Sequence, residues 1–281
     1  MIEPLDMARE MAKNLVMGNQ AMARVRERLG GGRTTGSFDV PAALEHVRTI
    51  FRRYQEGLGT AGLDPSWWHG KHTIEIGPGA TLGVQLLQVA AGVAKAHAID
   101  RFPDVQHTRP AAQLYESLLT DLADAQRALC QNEYRTSAGL PVFAFDKIQY
   151  DGDCPLETAG QRLKREYDVA LLHFALEHVA NLRAGISALA RILKPGGLLY
   201  VMLYTERLDA ELSLRIAAFM ASDKIPREQA FGWCSDGRGC PYARAYTEAE
   251  GRALLEAAGF RVTRAFLFNS GYFRTFRGER P

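Results

Sequence analysis

The chain is 281 residues long, 47% hydrophobic, with a formal net charge of +2. That length can bury a large core and suits one α/β domain with additions. The charge is too small to argue for nucleic acid or a polyanionic surface. No run of roughly 18 apolar residues occurs, so no membrane partner is expected.

The opening MIEPLDMAREMAKNLVM reads as an amphipathic helix, without the basic flank and apolar run of a signal peptide. A cytoplasmic location is therefore expected. Residues 1–30 carry a partial apolar stripe (Met7, Met11, Leu15, Met22), and Gly30-Gly31-Gly32 ends it. Ser37 or Asp39 can cap a helix from Pro41 to Gly57, with Leu44, Val47, Ile50, Phe51 and Tyr54 on one face. Residues 1–69 are predicted as a helical extension able to act as a lid, with Arg33 and Tyr54 as candidates, or simply to pad the sheet.

Next comes the stretch around which the chain is organised. A short strand, Thr73 to Ile76, runs into Gly77-Pro78-Gly79; an apolar helix spans about Leu82 to Val93; a second strand, Ala96 to Ile99, ends on Asp100. This is a βαβ half-unit of a doubly wound sheet. Its glycine turn lets backbone approach a ligand without an intervening Cβ, and a carboxylate closing the second strand can take both hydroxyls of a ribose. The third glycine of the dinucleotide fingerprint would fall at Leu82, and Gly83 is one place late. Glu75 would repel a phosphate but attract a cationic ligand. The pattern favours a cationic nucleoside over NAD.

After Asp100 a long insertion, about residues 102–142, contains a predicted helix from Pro110 to about Asn132. Ile148-Gln149-Tyr150 is the predicted third strand, and Asp151 to Pro155 a turn beside the ligand crevice, where Asp153 can read a base. A charged helix, Glu157 to Glu166, precedes the doubly buried strand Tyr167 to His173. Phe174 to Val179 starts the next helix; Arg183 to Leu193 is another, stopped by Lys194-Pro195-Gly196-Gly197, and Leu198 to Leu203 is the fifth strand. Residues 204–245 interrupt the core with a predicted helix (Glu206 to Met220) and a loop holding Trp233, Tyr242, Arg244 and Tyr246, suited to a substrate wall. Tyr272 to Phe276 alternates as an antiparallel last strand.

The segments HTIEIGPGATLG, YDVALLHFALEHV, LARILKPGGLLYVML and YTEAEGRALLEAAGFRVTRAFLF, in that order, resemble the class I S-adenosylmethionine-dependent methyltransferases over about residues 70–270. The resemblance implies a Rossmann-like, mostly parallel seven-stranded sheet over residues 70–281, and S-adenosylmethionine as cofactor. It implies that Glu75, Gly77 and Gly79 line the methionine part, that Asp100 holds the ribose, and that Asp153-Cys154 borders adenine. Pro78, Arg101 and His173 join this cofactor-binding set.

Such an enzyme would methylate a small molecule by in-line transfer, with His173 or His178 as candidate general bases. No clustered metal ligands are evident. Cys130, Cys154, Cys234 and Cys240 lack CxxC spacing and read as reduced thiols. A homodimer is compatible with all of this. A non-catalytic cofactor-binding scaffold and an NAD-dependent oxidoreductase are the competing readings.

Overall fold

The computed structural model describes residues 22, 39–61, 65–101, 105–173, 175–176, 179–207, 244–268 and 271–281. The expectations for the N-terminal helix and Arg33, for His178, for Trp233, Cys234, Cys240 and Tyr242, and for most of the helix after Glu206 lie outside them.

Nine strands and seven α-helices are described. Chain order begins with helix α1 (Val40–Leu58), a 3-10 turn (Pro65–Trp68), β1 (His72–Ile76), α2 (Gly83–Ala90) and β2 (Lys95–Ile99). It continues with α3 (Arg109–Thr120), α4 (Asp124–Cys130), β3 (Tyr134–Ser137), β4 (Leu140–Phe143), β5 (Ile148–Asp151) and α5 (Leu156–Arg162). Then come β6 (Tyr167–Leu172), α6 (Leu182–Ile192), β7 (Leu193–Tyr204), α7 (Glu248–Glu256), β8 (Arg261–Phe268) and β9 (Phe273–Glu279).

Seven strands form one sheet in the order β5-β2-β1-β6-β7-β9-β8. β1, β2, β5, β6 and β7 pair in parallel, while β9 runs antiparallel to both β7 and β8. The doubly wound sheet with an antiparallel last strand is thus as the sequence predicts. Strand alternation sends successive residues to opposite faces. Ala96, Ala98, Val169, Leu171 and Tyr200 join the core formed with α1, α2 and α3. Ile74, Ile99, Ala170, Leu172, Leu199 and Val201 join the other, formed with α5, α6 and α7. Burial on both faces explains why β6 reads as a nearly continuous apolar run, whereas β1 buries Thr73 and Glu75 alongside Ile74 and Ile76.

α1 belongs to the first core, contributing Val47, Ile50, Tyr54 and Leu58. Its approach to the sheet needs Gly57, because a Cβ there would run into the Tyr200 ring. Asp39 occupies its N-cap without a side-chain capping bond, and Gly59 closes it in a left-handed conformation.

Four local departures from these expectations are found. The helix predicted from Pro110 to Asn132 is two helices: Arg127 donates to the carbonyls of Leu119 (3.0 Å) and Leu122 (3.0 Å), capping the end of α3. The insertion also holds an unforeseen hairpin, β3–β4, whose two-residue turn puts Ala138 and Gly139 at φ 51° and 75°. Only Tyr134 of β3 is buried, so the strand lacks the alternation that would reveal it. Lys194 to Gly197, read as a turn before a strand, is a bulge at the start of β7. The register steps from Tyr167↔Leu193 to Val169↔Leu198 across it, and Arg280 pairs with Gly196 and Gly197. The charged helix α5 also stops earlier than expected, at Arg162, where Leu163 turns extended.

Candidate active site

The sheet order reverses between β1 and β6, and ligands of open α/β sheets bind at the carboxyl ends of strands at such a switch point. The Gly77-Pro78-Gly79 turn lies there. Gly77 and Gly79 adopt φ 74° and 71°, a region that L side chains rarely enter. Among the described residues, the turn's own neighbours aside, no atom lies within 4 Å of where a Gly79 Cβ would be, so that side of the turn is open to a ligand. A Cβ on Gly77 would sit 3.0 Å from Ala175 Cβ, which brings the turn against the segment following β6.

Backbone bonds tie the rest of the predicted cofactor set to this turn. Gly77 N donates to Ile99 O at 2.9 Å, Asp100 N to Asp151 O at 3.1 Å, and Cys154 N to Asp100 O at 2.7 Å. Asp100, Arg101 and the Asp153-Cys154 turn are thereby gathered along the ends of β1, β2 and β5. Asp100 and Arg101 are half-buried, Asp153 is exposed at φ 63°, and Cys154 is buried. Burial pushes the Cys154 thiol up, so it is a packing group rather than a nucleophile. An open glycine cradle with a half-buried carboxylate on the neighbouring strand fits a nucleoside with an amino-acid tail.

Glu75 has a different neighbourhood from Asp100. It is 3% exposed, accepts a bond from Tyr54 Oη at 2.6 Å and is also bonded by Gln85 Nε2. Burial raises its carboxyl from 4.5 to about 7, although both bonds pull the other way. Glu75 therefore ties α1 and α2 to the strand that carries the glycine turn. The insertion reaches the same place, since Leu82 N donates to Tyr115 Oη at 2.9 Å.

His173 follows β6 directly and is 7% exposed. Arg53 Nη1 lies 3.1 Å from its Nε2, and Tyr200 Oη lies 3.3 Å from its Nδ1. A guanidinium can only donate, so Nε2 accepts and Nδ1 carries the proton. Burial, then the charges of Arg53 and His46, push the imidazole down to about 3. Arg53 also stacks on Phe268, its guanidinium carbon 4.0 Å from the ring centroid. Sequence reasoning singled out Tyr54 and His173 but missed Arg53 and Phe268. Nothing in their local sequence marks them, because they meet only when α1 packs across the ends of β6 and β8.

On the opposite face, a cavity of about 690 Å³ opens between α6, α7 and the end of β7. It is lined by Leu176, Leu203, Tyr204, Arg183, Arg244 and Tyr246 among others. Two of the predicted substrate residues thus share one cavity, and they touch: the Arg244 guanidinium lies 4.4 Å from the Tyr246 ring centroid. Among the described residues no helix is long and apolar enough to cross a membrane.

A family model described as a methyltransferase domain matches residues 39–265. No curated protein matches the sequence. Among solved structures, magnesium protoporphyrin IX methyltransferase from Synechocystis PCC 6803, with bound SAH, is 16% identical with a TM-score of 0.52, covering 94% of this chain and 100% of its own. The 1,6-didemethyltoxoflavin-N1-methyltransferase of Burkholderia thailandensis is 12% identical with a TM-score of 0.49, covering 100% and 91%. At these identities the likeness is one of fold. The match over most of the chain, on a sheet of the expected order with an open glycine turn at its switch point, means that the chain belongs to the methyltransferase-domain family, whose cofactor is S-adenosylmethionine.

Proposed function

We propose that the protein transfers a methyl group from S-adenosylmethionine to a small molecule in the cytoplasm. The observation that carries this reading is the open, positive-φ Gly77–Gly79 turn, bonded through Ile99 to Asp100 at the end of the next strand. When bound, the cofactor supplies an electrophilic methyl on a sulfonium that leaves as a neutral sulfide.

The chain then has no departing negative charge to stabilise. Its residues hold and orient: Gly77 and Gly79 give backbone access to the methionine part, Asp100 accepts from the ribose hydroxyls, and the Asp153-Cys154 turn borders adenine. Alignment and exclusion of water can contribute roughly 7–11 kcal/mol. Arg244 and Tyr246 are proposed to face the end of the acceptor that reaches their cavity past Tyr204. His173 accepts from Arg53, which leaves it poorly placed to take a proton near neutral pH. The reading therefore rests on proximity, with His173 lining the site and orienting Arg53.

The test is incubation with methyl-labelled S-adenosylmethionine and separate pools of small metabolites, nucleic acid and protein. Label in low-molecular-weight material supports the proposal. Label only in a macromolecule, or none in any pool with the cofactor bound, contradicts it.

A further inference from the structure

Arg53 is a half-buried guanidinium with no carboxylate within ion-pair distance among the described residues. Its one hydrogen-bond partner there is the neutral His173. One face lies on Phe268 and one edge on the imidazole. A planar guanidinium held in this way keeps further N–H donors at its edge, the geometry that grips a carboxylate with two parallel bonds. Burying such a charge without a counter-charge is costly, which is why buried charges are normally paired. Burial accordingly presses Arg53 below its ordinary range, with Glu56 acting only through longer-range attraction.

Position distinguishes the acceptor from the cofactor. Asp100, Arg101 and the Asp153-Cys154 turn lie toward β2 and β5, whereas Arg53 and His173 lie over the ends of β6 and β8, on the other side of the switch point. Phe268 is also the first of a row of rings. It pairs with Phe273 across β8 and β9, and Phe273 pairs with Tyr204 across β9 and β7, with centroids 6.4 and 5.3 Å apart. Tyr204 lines the 690 Å³ cavity. A cation at one end of an aromatic row suits a flat molecule carrying a negative charge.

We infer that the methyl acceptor is an aromatic acid, whose anionic group is received by Arg53 and whose ring lies along Phe268, Phe273 and Tyr204. The inference rests on the proposed methyltransferase function and names its substrate class. Arg53 is then a specificity residue, held in register by His173.

The experiment is calorimetric titration of the full chain, first with S-adenosylhomocysteine and then, in its presence, with benzoate and with the neutral isostere benzamide. Benzoate is expected to bind roughly tenfold or more tightly than benzamide, as charge-assisted hydrogen bonds require. Arg53→Met, which keeps apolar length over Phe268, is expected to bring the two ligands to parity with S-adenosylhomocysteine affinity unchanged. Arg53→Lys, which restores the charge without the fork, is expected to recover part of the preference. Equal binding of the two probes by the unmodified protein, or no binding of either, overturns the inference. So does a loss of S-adenosylhomocysteine affinity in a folded Arg53→Met, since Arg53 would then hold the cofactor's own carboxylate. Should S-adenosylhomocysteine fail to bind the unmodified protein, the proposed function falls, and the benzoate and benzamide comparison on the protein alone still decides the anion site. If Arg53→Met does not fold, that comparison and Arg53→Lys decide it.

Discussion

Tyr54 donates its phenolic proton to the Glu75 carboxylate across 2.6 Å, in a pocket where both side chains are buried. This bond joins α1 to the strand that ends in the glycine turn, so a helix outside the βαβ unit helps fix the position of that turn.

Tyr54→Phe is expected to cost about 1–3 kcal/mol, because a buried acceptor loses its donor. The loss should be larger at pH 8 than at pH 5, since the bond is stronger to a carboxylate than to a neutral acid. Urea unfolding at the two pH values measures it, and equal stability of variant and parent would show that the bond contributes nothing.

Glu75 gives the fold a pH dependence of defined sign. Its folded value is raised from 4.5 to about 7, so between these values the folded state holds a proton that the unfolded chain has released. Stability from this group is full below pH 4.5 and is lost as pH rises toward 7, by on the order of 3 kcal/mol. The difference in unfolding free energy between the parent and Glu75→Gln should therefore fall across that window.

His173 acts in the opposite sense. With a folded value of about 3 against 6.5, it favours folding above pH 6.5, and that contribution is lost as pH falls toward 3. Its carbon-bound imidazole proton should show no titration in NMR spectra between pH 5 and 8. A midpoint near 6.5 would return His173 to the role of general base.

Asp100→Ala should weaken binding of S-adenosylhomocysteine by one to two charge-assisted hydrogen bonds, on the order of 1.5–3 kcal/mol each. Gly77→Ala should destabilise the protein by roughly 1–2 kcal/mol through its left-handed conformation alone, with its new Cβ pressed on Ala175. Calorimetry and thermal melting, respectively, give the two answers.

Thr247 and Glu250 form a reciprocal capping box at the start of α7, with Glu250 N donating to Thr247 Oγ1 at 3.2 Å and Thr247 N donating to Glu250 Oε2 at 2.8 Å. Thr247→Ala should cost about 0.5–2 kcal/mol. Because α7 also walls the cavity with Arg244 and Tyr246, the same variant tests whether that wall depends on the cap.

The sheet was legible because β6 and the second half of β7 are apolar runs, while β1 and β2 are short segments leading into Gly77 and Asp100. The ligand turn was legible because Gly77, Pro78, Gly79 and Asp100 are close in sequence and carry their own local geometry. What escaped has a common cause. The β3–β4 hairpin has a mostly exposed first strand, and the pairing of Arg53 with His173 spans 120 residues, so neither leaves a periodic or local signal. Glu75 shows the limit of type-based reading: a carboxylate beside the turn was recognisable, but its bonds to Tyr54 and Gln85 depend on how α1 and α2 pack.

The measurement that bears most directly on this account is parallel calorimetric titration of the protein with S-adenosylhomocysteine and NAD. One-to-one binding of S-adenosylhomocysteine, weakened in Asp100→Ala, is expected, with no heat from NAD. Binding of NAD, or an affinity for S-adenosylhomocysteine that Asp100→Ala leaves untouched, would contradict it.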